Sequence, residues 1–216
     1  MKKLFTFILL AALALPTFAQ FNTSRQRSRY NHNDTERYYG LRLGLNIASM
    51  SSDETNFDMD SRTGLSFGGV YGFQLANHTP LWLEAGLYYS EKGGKTHWVD
   101  NMGNSEKVKM RLSYLQLPVV VKYSFDVVDD LYVQPFFGGY FALGIAGQIK
   151  EYGERKSYSS FDEMNRFDGG LRLGCGVEYQ MLYAELGFDF GLTNISKSDF
   201  EAVRTRNLFI NVGVNF

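Results

Sequence analysis

Three histidines, His32, His78 and His97, and a single cysteine, Cys175, are the residues best suited to catalysis or metal binding in this chain. A shared metal needs ligands that converge, and the three histidines fall in three separate polar stretches. A nucleophilic centre needs a base within hydrogen-bond reach of the nucleophile. His97, Asp100 and Ser105 imitate such a set within the polar stretch from Glu91 to Lys107, and they read as a solvated loop. Asp53, Glu54, Asp58 and Asp60 gather the oxygen ligands that suit calcium. Their spacing is not that of a calcium loop, so they read as solvated surface. Cys175 lies mid-strand among apolar alternates; a thiol there behaves as a small hydrophobe, and it lacks the electropositive, exposed setting that reactivity requires. No catalytic, cofactor-binding or metal-binding residue is assigned, and the chain is not read as an enzyme.

A second set of ionisable residues has a regular address. Arg42, Glu84, Lys122, Asp168, Arg172, Glu178, Glu185 and Asp189 each occupy the polar phase of a segment that alternates apolar and polar residues. Period-two alternation describes a strand with one apolar and one polar face. Tyr39, Leu41, Leu43, Leu45 and Ile47 open the series. Leu65, Phe67, Tyr71 and Phe73 follow, then Leu81 to Tyr89, Leu115 to Tyr123, Leu131 to Ile145, Leu171 to Tyr179 and Leu182 to Leu192. The last strand carries Leu208, Ile210, Val212 and Val214 and stops on the aromatic Phe216. These make eight strands, each about long enough for a tilted crossing of a hydrocarbon core, which takes about 9–11 residues.

The N-terminus has the grammar of an export signal. Lys2 and Lys3 precede an apolar run from Leu4 to Leu15, and Pro16-Thr17-Phe18-Ala19 closes it. The run is too short to span as a helix, and cleavage after Ala19 is expected. The organisation is therefore 1–19 signal peptide, 20–37 polar flexible periplasmic leader and 38–216 β-barrel. An exported chain with one cysteine has no internal disulfide framework. The net charge is -1, which gives no reason to expect nucleic acid. Mean hydropathy is slightly negative, as it is for barrels in which alternate residues meet lipid.

Connections alternate between long polar ones (Ser49–Thr63, Glu91–Lys107, Gln148–Asn165, Asn194–Arg204) and short ones (Ala76–Pro80, Phe125–Asp130, Gln180–Met181). Membrane barrels have long extracellular loops and short periplasmic turns, so both termini fall on the periplasmic side. Tyr39, Phe73, Tyr123, Tyr179 and Phe216 then gather at the periplasmic ends as an aromatic girdle. Most strand glycines share the charged face. Glycines make room for long charged side chains inside a narrow bore, which puts the apolar face toward lipid. The expectation is an all-β, eight-stranded antiparallel up-and-down transmembrane β-barrel whose polar lumen is plugged. One segment breaks phase: Val108, Met110 and Leu112 are apolar, yet the next apolar set starts at Leu115. A β-bulge near Ser113-Tyr114 would return the apolar side to the outside. Without it, Lys109 and Arg111 would face outward toward lipopolysaccharide phosphates.

Tyr114-Leu115-Gln116-Leu117-Pro118-Val119-Val120-Val121-Lys122-Tyr123 resembles the central signature of small outer-membrane β-barrel proteins labelled porin-family or PorT-like. Gly170 to Tyr179 resembles the sixth strand of that family, and Gly40 to Asn46 its first. The resemblance implies the outer membrane of a Gram-negative bacterium. It implies no single activity; some members are linked to protein secretion. The expected function is a structural anchor or interaction platform acting through extracellular loops, linked to secretion or envelope assembly. The alternatives are a rim-active lipid-modifying enzyme and a narrow solute channel. The expected partners are outer-membrane lipid and lipopolysaccharide, and a protein reached through the loops or the leader; no cofactor is expected.

Overall fold

A computed structural model of the chain describes residues 36–52, 60–76, 79–99, 105–151, 157–158, 164–195 and 203–216. His32, His78, Asp53, Glu54, Asp58 and Asp100, with the signal and residues 20–35 of the leader, lie outside the described residues, and the end of the leader at Arg37 already belongs to the first strand. Among the described residues are eight long strands: β1 (Arg37–Ser52), β2 (Asp60–Gln74), β3 (Leu81–Val99), β4 (Ser105–Tyr123), β5 (Leu131–Glu151), β6 (Phe167–Tyr179), β7 (Leu182–Gly191) and β8 (Val203–Asn215). Each pairs antiparallel with its neighbour in sequence, and β1 pairs with β8 from Gly40↔Asn215 to Ser52↔Val203. The ring of these strands is therefore closed, as a sheet surrounded by lipid requires. The chain end takes part in the closure: Tyr39 and Phe216 exchange backbone hydrogen bonds of 3.1 and 2.7 Å.

Alternation of exposure decides which face meets the outside. Leu41 and Leu43 are 61% and 59% exposed while Arg42 between them is 3% exposed. Leu186 is exposed and its neighbour Glu185 buried; Lys122 is buried between half-exposed Val121 and Tyr123. The outer wall is thus a continuous apolar surface, a face suited to hydrocarbon rather than to water, and the bore takes the ionised groups.

Two sequence expectations fail against the structure. The stretch Glu91–Lys107 reads as loop, but β3 and β4 stay paired as far as Val99↔Ser105, and β5 runs on to Glu151. The outward apolar positions of β3 end at Tyr89, so the rest of the strand stands clear of the apolar belt. There nothing favours apolar alternates, while the backbone ladder continues. The second correction concerns β4. A register shift does sit at Ser113/Tyr114, where these consecutive residues face Ala146 and Gly144. The extra residue is Ile145, on β5, and both Ile145 and Ala146 are exposed. β4 itself keeps one phase: Met110, Leu112, Tyr114 and Gln116 all point inward and are buried, while Arg111 is exposed. Apolar residues above the belt serve an internal core rather than a lipid face.

At the end of the barrel where β1 starts and β8 stops, the turns are tight. Phe125–Val128 continues the β4 ladder against β5 after a break at Ser124. Asp130 and Gln180 take left-handed backbone conformations, with φ of 66° and 56°.

Candidate functional site

The bore is filled in layers, and inward-facing positions of every strand supply them. Nearest the end that holds the start of β1 and the stop of β8, the Glu178 carboxylate accepts hydrogen bonds from Gln134 and Asn215, both at 3.0 Å. Arg42 donates to Asn215 Oδ1 at 2.6 Å. Above lies Glu84, which accepts from Tyr38 at 2.5 Å and from Lys122 at 2.8 Å and stands 3.7 Å from Arg42. Lys122 also donates to the Tyr183 hydroxyl at 2.7 Å, and that hydroxyl donates to Glu185 at 3.2 Å. Asn211 completes Glu185 at 2.7 Å. The Arg42 guanidinium lies 4.0 Å from the Tyr183 ring centre, within cation–π range.

The next layer is built on Asp189. Arg172 grips both its oxygens, at 2.6 and 3.0 Å, and Gln116 adds a donor at 3.0 Å. The flat guanidinium fork fits a carboxylate in two places at once. Phe136, Phe209 and Val120 form a small apolar cluster in the bore, and Arg172 lies 4.1 Å over the Phe209 ring. Higher still, Asp168 receives Lys92 at 3.2 Å, Thr205 at 2.9 Å and Thr193 at 3.1 Å. Met50, Met110, Leu112, Tyr114, Tyr140, Ala142 and Ile195 pack together at that layer, toward the opposite end of the bore.

Two inward glycines explain how such bulk fits. A Cβ on Gly72 would run into the Tyr38 ring, and one on Gly176 into the Tyr183 hydroxyl. Both tyrosines serve the Glu84–Lys122 layer, so the missing side chains are the space the network occupies.

Arg42, Glu84, Lys122, Asp168, Arg172, Glu178, Glu185 and Asp189 are all buried in the bore. That charged set omits their neutral partners and Lys92. The asparagines of β1 and β8, Tyr38, Tyr140 and Tyr183 occupy the same phase as the charges, so parity was the available signal. Lys92 continues the Tyr88–Ser90 phase but sits in the stretch read as loop. Of the aromatic set, Tyr39, Tyr123, Tyr179 and Phe216 are exposed and Phe73 partly so, all at the same end of the barrel as the start of β1. The Tyr39 and Tyr71 rings are 5.1 Å apart and those of Tyr123 and Phe125 4.4 Å.

A separate ionic cluster lies on the outer side above the belt. Glu91 accepts from Arg111 and, at 3.0 Å, from Tyr89, and Arg62 stands 4.0 Å away. Burial pushes the Glu91 carboxyl up, but these hydrogen bonds and the charges of Arg111 and Arg62 outweigh it and hold the group below the usual carboxylate range. Cys175 is exposed on the outer wall. Among the described residues, no three histidine, cysteine, aspartate or glutamate side chains come together as a metal site. His97 and Ser105 lie on paired strands, with His97 opposite Lys107 and Ser105 opposite Val99.

Residues 12–197 match the family described as Outer membrane protein beta-barrel domain. Among solved structures, a major outer membrane protein from Thermus thermophilus is similar, with 13% identity, a TM-score of 0.51, and coverage of 84% of this chain and 100% of that one. Neisserial surface protein A is 18% identical at a TM-score of 0.48, covering 85% of this chain and 100% of that one. The attachment invasion locus protein of Yersinia pestis is 13% identical at a TM-score of 0.43, covering 84% and 99%. At such identity the likeness to the Thermus protein concerns the fold alone. No curated protein sequence matches the chain.

Proposed function

The chain belongs to the outer membrane protein beta-barrel domain family, and from that premise we propose that it is a non-enzymatic anchor and interaction platform working through its extracellular strand extensions and loops. It resides in the outer membrane. Its protein partner meets it at the extracellular extensions or the periplasmic leader, in the setting of secretion or envelope assembly. The observation that carries this reading is the overrun of β3, β4 and β5. From Tyr89 to Val99 the β3–β4 ladder continues without a gap, a ridge of roughly 30 Å along the strand at about 3.3 Å per residue. A ladder that long above the belt has no use in crossing the bilayer, and it holds a paired backbone in a fixed position for a second protein to meet.

The filled bore favours this reading over a solute channel. Among the described residues, four cations, Arg42, Lys92, Lys122 and Arg172, face five carboxylates, Glu84, Asp168, Glu178, Glu185 and Asp189, inside it. Desolvation offsets much of the attraction in such a network. Its role is to keep the interior polar and to match each strand to its neighbour in register. The aromatic girdle holds the periplasmic rim at the membrane–water boundary.

Photo-cross-linking in living cells tests the reading. A photoreactive residue in place of Trp98 should yield one discrete protein adduct, and one in place of Leu43 on the outer wall should not. Replacing residues 94–108 by a two-residue turn should abolish that adduct and leave a folded barrel. Conductance of the folded protein in planar bilayers would favour the channel instead. A lipid modification lost in His97→Ala would favour the enzyme.

A further inference from the structure

At the extracellular rim, between the ends of β5, β6 and β7, Leu143, Asn165, Arg166, Phe167, Thr193 and Asn194 line an open groove of about 500 Å³. Its two halves differ in chemistry. Leu143 and Phe167 pair across β5 and β6 and are half exposed. The Phe167 ring lies 6.3 Å from that of Phe141, one outward position nearer the membrane centre. The same ring covers Gly169, opposite Phe141: Gly169 is buried, and a Cβ there would meet the Phe167 ring at 3.6–3.7 Å. Phe141, Leu143 and Phe167, each at least half exposed, make the lower half an apolar wall continuous with the belt. The upper half is polar and cationic, formed by Asn165, Thr193, Asn194 and the exposed Arg166.

The groove is also held in shape from behind. Thr193 accepts the Gly169 amide at 2.9 Å and donates to Asp168 at 3.1 Å, which ties its edge to the Lys92 layer of the bore. Among the described residues Arg111, Arg204 and Arg206 are exposed at this end, with Asp60, and Glu91 is engaged by Arg111. At the opposite end Asp126 and Asp129 are exposed.

We propose that this groove seats one phosphate-bearing lipid of the outer leaflet, with an acyl chain on Phe141, Leu143 and Phe167 and the headgroup phosphate at Arg166. An amphiphile at the belt edge matches both halves: the acyl chain gains apolar burial, and a guanidinium binds phosphate through parallel hydrogen bonds. A soluble anion would use only the upper half. This goes beyond the platform reading and needs only residence in the membrane.

The full chain, reconstituted in phosphatidylcholine nanodiscs with a minor fraction of phosphorylated glycolipid, is released and its retained lipid measured by native mass spectrometry. One phosphorylated glycolipid per chain is expected, and its dephosphorylated counterpart should be retained no better than phosphatidylcholine. Arg166→Glu should lower retention about tenfold, and Arg166→Lys less than about threefold. Arg206→Glu removes the same charge elsewhere on the rim and should leave retention unchanged. Should Arg166→Glu fail the heat-dependent gel shift of a folded barrel, Arg166→Gln serves the same comparison. Equal loss in Arg206→Glu, or equal retention of the dephosphorylated lipid, overturns the proposal. So does complete displacement by millimolar inorganic phosphate, which would leave an anion site and no lipid seat.

Discussion

Arg172 and Asp189 meet through two hydrogen bonds deep in the bore, where both side chains are buried. Arg172→Met would leave Asp189 a buried charge served by Gln116 and Asn207, at a cost of about 3–5 kcal/mol. The double variant Arg172→Met with Asp189→Leu should recover most of that loss, because the uncompensated charge goes with its partner. Reversible urea unfolding in lipid vesicles measures both. Glu91 sits above the belt and behaves differently. Its folded carboxyl titrates below its unfolded value, so the stability it contributes is present above about pH 4.3 and fades as pH falls through the lower folded value. Wild type should exceed Glu91→Gln in unfolding midpoint near neutral pH, and the gap should close in acid. A gap that is the same at both ends of the titration would remove the pairing from the account. Parity made the bore charges legible in the sequence. It could not say that Lys122 would be shared between Glu84 and Tyr183, because that choice depends on which strands face each other across the bore.

Ile145 shows where a strand's own pattern stops being sufficient. The apolar run Met110 and Leu112 looks like a phase error in β4, yet β4 has none. The irregularity lies on β5, and a bulge needs two strands to exist. Deleting Ile145 would restore one-to-one pairing, with Ala146 still opposite Ser113, and take away the bend and added twist with which the paired strands leave the belt. The barrel should still form, since the ladder from Tyr114 to Lys122 is untouched. Amides of residues 111–113 and 146–148 should exchange about tenfold faster, and those of 115–121 unchanged. Undiminished protection above Ser113 would mean that the bulge carries no structural load. The overrun of β3 was unreadable for a related reason. Hydropathy reports the solvent a strand meets, whereas pairing depends on the neighbour, and the two part company at the membrane surface.

For the molecule as a whole, the outer wall is the feature on which membrane residence rests. Leu186 lies mid-strand on that wall, and Leu186→Arg should destabilise the barrel by about 2–4 kcal/mol in vesicles. The same change at Leu143, near the rim, should cost less, since an arginine there reaches headgroups. Equal costs at the two positions would argue against hydrocarbon at the middle of the wall. Strand number, the inward and outward phases and the alternation of turn lengths were all decided locally, by a two-residue repeat and by hairpins joining neighbours. A single sequence carries such short-range information in full. The contacts of Lys122 with Tyr183 and of Arg42 with Glu84, and the cap of Met50, Met110 and Ile195 over the bore, came only with closure. Each joins residues from strands distant in the chain, and only when β1 meets β8 do those side chains share a lumen or a rim.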